Sequence, residues 1–287
     1  MERNCKVLVV GAGPGGYVAA IRAGQLGLDT VIVEGDRAGG TCLIRGCIPS
    51  KAVIHAATRF EELGAHAGDG DMGISLPDGP MLNMGKLVEW KESIVDKLNS
   101  GVEMLLKKAG VELVRGWATF RDGKTCDVET SEGSVKITAE HVVLATGSKA
   151  TELPFMPFGG NIISSTEALE LGELPERLVV IGAGYIGLEL GIAYRKLGCR
   201  VEFIEALDRI LPLYDAELVR PISMWLRKHK VPMHLSARAT EAKTRGKTTT
   251  VGFTDADGKA QKAKGERVLV AVGRRPCTEG WGLENMA

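Results

Sequence analysis

The 287-residue sequence lacks several features that mark particular classes of protein. Lys and Arg total 36, and Asp and Glu also total 36, so there is no basic excess of the kind that nucleic-acid-binding proteins carry. No apolar run approaches the ~18 residues of a membrane span, and the short run Val7-Leu8-Val9-Val10 is not a signal-peptide core. We therefore expect an intracellular protein without nucleic-acid or membrane partners, in the cytoplasm or, for a eukaryotic source, the mitochondrial matrix.

Aromatic residues are also scarce, at 5% of the chain, whereas glycine is abundant, with 37 residues. Glycine thus exceeds its usual share of roughly 7% by nearly twofold. The hydrophobic and charged fractions, 44% and 25%, are those of a globular protein, and the length predicts about two domains. A glycine-rich chain with few aromatics suits an α/β protein whose backbone comes close to its ligands.

One sequence pattern occurs twice at a constant offset of 171 positions (182 − 11 and 205 − 34). Each copy has an apolar strand, a turn with three glycines, a segment of helical periodicity and a second apolar strand ending in an acid. The paired residues are Gly11 with Gly182, Gly13 with Gly184, Gly16 with Gly187 and Glu34 with Glu205. Two β-turn-α-β units are predicted, and with them an α/β fold of two Rossmann-like, doubly wound nucleotide-binding domains.

Each residue of this pattern has a separate physical role in binding a dinucleotide. The first glycine permits a tight turn, the second leaves room for a pyrophosphate, and the third lets the helix pack closely on the strand. The helix N-terminus attracts the phosphates, and the acid accepts hydrogen bonds from a ribose. A glycine-rich turn without a ligand is the alternative, and the strand, helix and acid around each motif argue against it.

Between the two copies lies a cysteine pair, Cys42 and Cys47. The stretch from Thr41 to about Ala65 that contains it is predicted to be helical apart from an interruption at Gly46–Pro49. On a regular helix, Cα atoms five positions apart are separated by about 8.6 Å, and a disulfide tolerates at most about 7 Å. The interruption would allow the pair to close. Two buried cysteines on a kinked helix are the alternative, and the spacing leaves both possibilities open.

Two dinucleotide folds around a cysteine pair favour one kind of chemistry. A nicotinamide transfers a hydride, and a disulfide accepts two electrons through thiolates, so a flavin is the natural intermediary. The two folds would therefore supply one FAD site and one site for a nicotinamide dinucleotide, and no metal site is predicted.

The chain resembles the pyridine nucleotide–disulfide oxidoreductases along nearly its whole length. The motifs that carry the resemblance are GAGPGG at 11–16, GGTCLIRGCIPSK at 39–51, RGWATF at 115–120, ATG at 145–147, GAGYIGLELG at 182–191 and VGRRP at 272–276. The resemblance implies an FAD-binding domain with a redox disulfide at 1–148 and an NAD-binding domain at 149–274. Residues 275–287 would begin a segment that returns to the first domain, and the family's C-terminal interface domain would be missing, together with its acid–base histidine.

The resemblance also implies a role for particular residues. Cys42 would exchange with the substrate, Cys47 would face the flavin, and Lys51 would lie near the flavin and pair with Glu189. The residues expected to contact FAD, besides Lys51, are Gly11, Gly13, Gly16, Glu34, Gly40, Thr41, Ala118, Thr146 and Gly147. Those expected to contact NAD are Gly182, Gly184, Tyr185, Gly187, Glu205 and Gly273.

Glu205 distinguishes between members of the family, because a carboxylate at this position repels the 2′-phosphate of NADP and favours NAD. This favours the branch that oxidises a reduced lipoyl arm. The implied partner is the lipoyl domain of a 2-oxo acid dehydrogenase or glycine cleavage complex, and the implied assembly is a homodimer. There are two alternatives: another NAD-linked disulfide reductase of the family, or a nucleotide-binding fragment without catalysis.

Overall fold

The computed structural model describes residues 1–67 and 75–286. Across these two ranges, no helix is both long and apolar enough to cross a membrane. The chain divides into two compact units, each assembled from separate stretches of sequence. Unit 1 comprises Met1–Pro49, Glu92–Lys149 and Arg275–Ala287, and unit 2 comprises Ser50–Lys91 and Ala150–Arg274.

Strands and helices alternate through much of the chain. The first half contains β1 (Glu2–Val10), α1 (Pro14–Gln25), β2 (Thr30–Glu34), α2 (Gly40–Arg45), α3 (Cys47–Gly64), α4 (Met84–Lys108), β3 (Glu112–Arg115), β4 (Trp117–Phe120), β5 (Thr125–Thr130), β6 (Gly133–Leu144) and β7 (Ser148–Ala150). The second half contains β8 (Ile162–Ile163), α5 (Ser165–Ala168), β9 (Arg177–Ile181), α6 (Tyr185–Lys196), β10 (Arg200–Ile204), α7 (Ala216–Lys228), β11 (Met233–His234), β12 (Arg238–Arg245), β13 (Thr248–Thr254), β14 (Ala260–Gly265), β15 (Arg267–Val270), β16 (Arg274–Pro276) and a 3-10 turn at Leu283–Asn285.

Unit 1 is built on a six-stranded sheet in the order β3-β2-β1-β6-β5-β4. The first four strands are parallel, and Val7 of the central strand β1 is paired with both Thr30 and His141. Helices α1 and α4 cover one face through side chains such as Ala20 and Val102. Strands β5 and β4 continue the sheet beyond β6 in antiparallel order. Their side chains pack with those of β1 and β2 in the core on the other face, where Phe120 is almost fully buried. The sheet is therefore covered by helices on one side and by strands on the other.

Unit 2 repeats this arrangement with a five-stranded parallel sheet in the order β11-β10-β9-β15-β8. Side chains of α6, including Leu188 and Leu190, belong to the core on one face. A separate three-stranded antiparallel sheet, β12-β13-β14, contributes Val251 and Phe253 to the core on the other face. The α/β class with two Rossmann-like units is thus confirmed, and the structure adds that strands cover one face of each parallel sheet.

The third glycine of each turn is required for the close packing of the helix on the strand. A Cβ atom added to Gly16 would lie 1.7 Å from the carbonyl oxygen of Gly11, and one on Gly187 would lie 2.1 Å from that of Gly182. Real Cβ atoms do not approach backbone oxygens so closely. The helix that follows each turn can therefore approach its strand only because these two positions lack a side chain.

Replacing Gly16 with alanine should consequently destabilise unit 1 by about 3 kcal/mol, the upper end of the usual cost of overpacking, because backbone must move to admit the methyl group. Gly15→Ala is the matched control in the same helix, since no atom lies within 4 Å of its added Cβ. That control should leave stability unchanged or raise it by up to about 1 kcal/mol. Urea unfolding of both variants checks the prediction, which is wrong if their midpoints coincide.

Candidate functional site

The glycine turns of the two units have the same backbone conformation. Gly13, the N-cap of α1, has φ −72° and ψ 180°, and Gly184, the N-cap of α6, has φ −73° and ψ 179°. A Cβ on Gly184 would meet no atom within 4 Å, and one on Gly13 would meet only the Cα of Gly40, at 3.8 Å. The second glycine of each turn therefore leaves open space in front of a helix N-terminus, which is what a phosphate group needs.

The acid at the end of the second strand is bound to its own turn in both units. In unit 1 the Glu34 carboxylate accepts hydrogen bonds from the backbone N–H groups of Ala12, at 2.7 Å, and Asp36, at 2.9 Å. Burial raises the pKa of Glu34, and the bond from Ala12 opposes this shift. The carboxylate thus fixes the turn relative to the strand, besides being available to a ribose.

Glu205 makes the equivalent bonds in unit 2. It accepts from the N–H groups of Ala183, at 2.6 Å, and Leu207, at 2.9 Å, and it is only 8% exposed. An arginine here would leave two amides without their acceptor and would bury a cation, so the stability of the turn by itself constrains this position.

Gly40 and Thr41, at the start of α2, lie beside the first glycine turn. A Cβ on Gly40 would come within 2.4 Å of the Cα of Gly13, so the two backbones touch. Ala118, by contrast, is buried in the middle of β4, where it is paired with Val128. Among the residues expected around FAD, the structure therefore brings the turn and α2 together in direct contact.

The segment after residue 274, which is part of unit 1, contacts two other expected site residues. The Thr146 hydroxyl donates to the carbonyl oxygen of Cys277 at 2.8 Å, and the N–H of Cys277 donates to the carbonyl of Gly147 at 2.9 Å. In unit 2 the corresponding glycine, Gly273, has φ +132° and accepts a hydrogen bond from the N–H of Thr151 at 3.0 Å. Both strand ends are therefore held by backbone hydrogen bonds.

Two expected site residues of α6 lie at a cavity in unit 2. Tyr185 is the first residue of α6 and is 56% exposed. With Glu189 it lines a cavity of about 390 Å³ whose other walls are mostly apolar. The Glu189 carboxylate accepts hydrogen bonds from Lys51 Nζ at 2.8 Å through each of its oxygens. This bidentate ion pair joins α3 to α6 within unit 2.

The cysteine segment departs from a regular helix at a single residue. Helix α2 ends at Arg45, Gly46 has φ −143° and ψ −111°, and Cys47 begins α3. The interruption predicted over Gly46–Pro49 is wrong in its extent, because the break is confined to Gly46 and Pro49 lies in the first turn of α3. Proline is tolerated in a first helical turn because the N–H that it lacks would have no partner there. The break that disulfide closure requires is nevertheless present between Cys42 and Cys47.

The exposure of the cysteines separates this pair from three of the others. Cys42 is half-buried and Cys47 is exposed, whereas Cys5, Cys126 and Cys199 are buried. Burial raises the pKa of Cys5 to about 11 and that of Cys126 and Cys199 to about 12. The alternative of two buried cysteines is therefore wrong for Cys42 and Cys47.

In the part of the chain that the structure describes, no group of His, Cys, Asp and Glu is arranged to hold a metal ion.

Sequence reasoning missed two features near the first turn. The side chain of Trp117 lies against Gly35, and Arg45 of α2 forms an ion pair with Asp36. The signal for the tryptophan was present, since it is a rare residue type next to the expected site residue Ala118. The ion pair had no such signal, because it depends on how α2 folds back towards the end of β2.

Fold and geometry together define an α/β protein with two dinucleotide-type turns and an accessible cysteine pair. The chain belongs to the pyridine nucleotide-disulphide oxidoreductase family, whose sequence profile matches residues 5–286. It is 52% identical to a dihydrolipoyl dehydrogenase of Pseudomonas aeruginosa, covering 98% of this chain and 60% of that protein. It is 44% identical to the dihydrolipoyl dehydrogenase of Geobacillus stearothermophilus, covering 98% and 59%.

Solved structures show the same fold. LpdA from Mycobacterium tuberculosis matches with a TM-score of 0.85 and 25% identity over 98% of this chain and 61% of that one. The Cu(II) complex of the HOCl-induced flavoprotein disulfide reductase RclA from Escherichia coli matches with a TM-score of 0.84 and 24% identity, over 99% and 60%. The chain thus spans about 60% of the length of the relatives it matches.

The cysteines should differ sharply in their reaction with iodoacetamide at pH 8 after mild reduction. A thiol with a pKa of about 11 is ionised in roughly one molecule in a thousand at this pH, and only thiolates react. Cys5, Cys126 and Cys199 should remain unmodified in the folded protein, whereas Cys42 and Cys47 are alkylated. Peptide mass spectrometry measures the rate at which each cysteine is alkylated. Modification of Cys199 as fast as Cys42 would contradict the prediction.

Proposed function

We propose that this chain is the nucleotide-binding and redox part of a dihydrolipoyl dehydrogenase. In this proposal the Cys42–Cys47 disulfide oxidises the reduced lipoyl group, and the electrons pass through FAD to NAD. The observation that carries the proposal is the position of the cysteines on either side of the helix break at Gly46. The helix α2, which contains Cys42, begins where Gly40 touches the first glycine turn.

Unit 1 is proposed to hold FAD and unit 2 to hold NAD. The open space at Gly13 and Gly184 fits a pyrophosphate in each unit, and the acids Glu34 and Glu205 stand at the strand ends where an adenosine ribose would bind. Thr41 and Lys51 would also contact FAD, and Tyr185 and Gly273 would contact NAD. When bound, FAD would accept an electron pair from the dithiol and deliver it to NAD.

The cysteines can carry out the thiol exchange with a complete balance of atoms and electrons. A thiolate of the reduced lipoyl group attacks Cys42 Sγ, the Cys42–Cys47 bond breaks, and Cys47 leaves as a thiolate. The second lipoyl thiolate then attacks the mixed disulfide, which closes the oxidised lipoyl ring and releases Cys42. The substrate loses two electrons, and the cysteine pair gains them.

Local structure supports the assignment of the leaving thiolate. Cys47 is the first residue of an 18-residue helix, and the N-terminus of a helix stabilises negative charge. In unit 2, the bidentate bond from Lys51 to Glu189 fixes a cation that would otherwise be mobile. Holding this ammonium group in place is the role we propose for Glu189.

The proposal also covers the choice of nicotinamide cofactor and the protein partner. The buried carboxylate of Glu205 would repel a 2′-phosphate, which favours NAD over NADP. The proposed partner is a lipoyl domain of a 2-oxo acid dehydrogenase or glycine cleavage complex, and the proposed assembly of the whole protein is a homodimer. Its relatives named dihydrolipoyl dehydrogenase, at up to 52% identity, support this choice within the family.

The dithiol reaction is tested by counting thiols in denaturant before and after treatment with dihydrolipoamide. The oxidised wild-type chain should show four thiols before treatment and all six afterwards, because one disulfide is reduced. Cys42→Ser should show five thiols at both times, whereas Cys277→Ser, the matched control, should still gain two. No gain in the wild type refutes the relay, and faster reduction by glutathione than by dihydrolipoamide would favour another disulfide reductase.

The assignment of one cofactor to each unit is tested by a reciprocal pair of variants. Gly184→Ala should weaken NAD binding about tenfold or more, because its methyl group occupies the approach of the phosphate, and should leave FAD binding unchanged. Gly13→Ala should do the opposite. Neither added Cβ approaches a protein atom closer than 3.8 Å, so both variants should keep the wild-type unfolding midpoint. Isothermal titration measures the affinities, and equal losses for both cofactors in one variant would contradict the assignment.

A further inference from the structure

The antiparallel sheet β12-β13-β14 of unit 2 carries an excess of positive charge on its outer face. Side chains alternate between the two faces of a strand, and Val251 and Phe253 mark the inner face, which packs in the core. Every charged side chain on the outer face is exposed. They are five cations and one acid: Arg238, Lys243, Arg245, Lys262, Lys264 and Glu241. The chain as a whole has equal numbers of basic and acidic residues, so charge is segregated here.

Most of these cations lack a carboxylate partner in the described part of the chain. Lys243 pairs with Glu241 at 2.7 Å. In unit 1, by comparison, Arg3 and Arg37 each pair with two carboxylates. Like charges that are left unpaired on one face repel one another, and a bound anion relieves that repulsion. The cations of the outer face that form no ion pair with any described residue are Arg238, Arg245, Lys262 and Lys264.

The middle strand forms a shallow furrow between two rows of cations. Lys243 of β12 and Lys264 of β14 both lie opposite Thr250 of β13. The outward residues of β13 are short, namely Thr248, Thr250, Gly252 and Thr254. Neighbouring strands lie about 4.8 Å apart, so the two rows are separated by about 10 Å. This width admits one extended polypeptide, whose alternate side chains would reach both rows.

Glu241 shows how a carboxylate is held on this face. A Cβ on Gly252 would lie 2.8 Å from Cγ of Glu241 and 3.2 Å from its Oε1. The side chain of Glu241 therefore lies over the middle strand, at the position where that strand has no side chain. The hydrogen bond from Lys243 and the charges of Lys243 and Lys262 lower the pKa of Glu241. The furrow thus already binds one carboxylate of the chain itself.

We propose that the outer face of β12-β13-β14 binds an acidic segment of a partner protein, with Asp and Glu side chains between the two rows of cations. Charge complementarity carries the proposal, and the threonine hydroxyls of β13 can donate hydrogen bonds to carboxylates. The outward positions of these three strands, all of which the structure describes, include no aromatic side chain on which a nucleic-acid base would stack. They also include no large apolar side chain that would enter a membrane interface. The surface is separate from the glycine turns and the cysteines, so the inference goes beyond the proposed function.

The test is a fluorescence anisotropy titration of a labelled decaglutamate peptide with the purified chain. The peptide is extended by its own charge. The double variant Lys243→Gln, Lys264→Gln should bind it about fivefold more weakly, because two ion pairs are lost. The control Lys107→Gln, Lys108→Gln removes the same charge from the end of α4 in unit 1 and should bind as the wild type does. Salt should weaken binding to the wild type.

Glu241→Gln gives a readout that damage to the fold would not produce. Its carboxylate competes with the peptide for Lys243, so the variant should bind decaglutamate about twofold more tightly than the wild type. Thermal unfolding should be unchanged in all variants, since the substituted side chains are exposed.

Several results would overturn the inference. These are a wild-type chain that does not bind decaglutamate, equal affinities in the wild type and the Lys243→Gln, Lys264→Gln variant, and weaker binding by Glu241→Gln. Oligothymidylate and vesicles containing phosphatidylserine are the competing probes. Tighter binding of either one than of decaglutamate, lost in the same double variant, would assign the face to a nucleic acid or a membrane and overturn the protein partner.

Discussion

In both units, a carboxylate that is half-buried (Glu34) or buried (Glu205) accepts hydrogen bonds from two backbone N–H groups and thereby holds a glycine turn against the end of a strand. Glu34 and Glu205 make these bonds with nearly the same lengths, 2.7 and 2.9 Å in one unit and 2.6 and 2.9 Å in the other. The N-caps that follow differ by about one degree in φ and ψ. The position of each helix N-terminus, and hence of any phosphate it binds, depends on this pair of bonds.

The redox segment applies a different constraint. A continuous helix would keep Cys42 and Cys47 too far apart to form a disulfide, and Gly46 interrupts the helix between them. A Cβ on Gly46 would lie 2.7 Å from the carbonyl oxygen of Thr41, so the break itself requires glycine. The same backbone feature thus separates two helices and permits the sulfur chemistry that we propose.

Much of this arrangement could be predicted because the motifs are local. The two strand–turn–helix–strand copies were readable from apolar runs, glycines and acids that lie close together in sequence, and the structure contains both. The sequence did not predict that strands cover one face of each parallel sheet. Short, partly polar strands such as β12 and β14 carry little periodicity, and their place is decided by which apolar surface they bury.

The sequence by itself determined the two glycine turns, their acids and the cysteine pair, since each depends on spacing along a short stretch of chain. Only the tertiary structure decided the contacts between distant segments. These include the hold of Glu189 on Lys51, the hydrogen bond from Thr146 to Cys277 and the contact of Trp117 with Gly35. Such partners come together because the carboxyl ends of parallel strands meet at one edge of a sheet, or because two helices pack side by side, and neither event leaves a mark on local sequence.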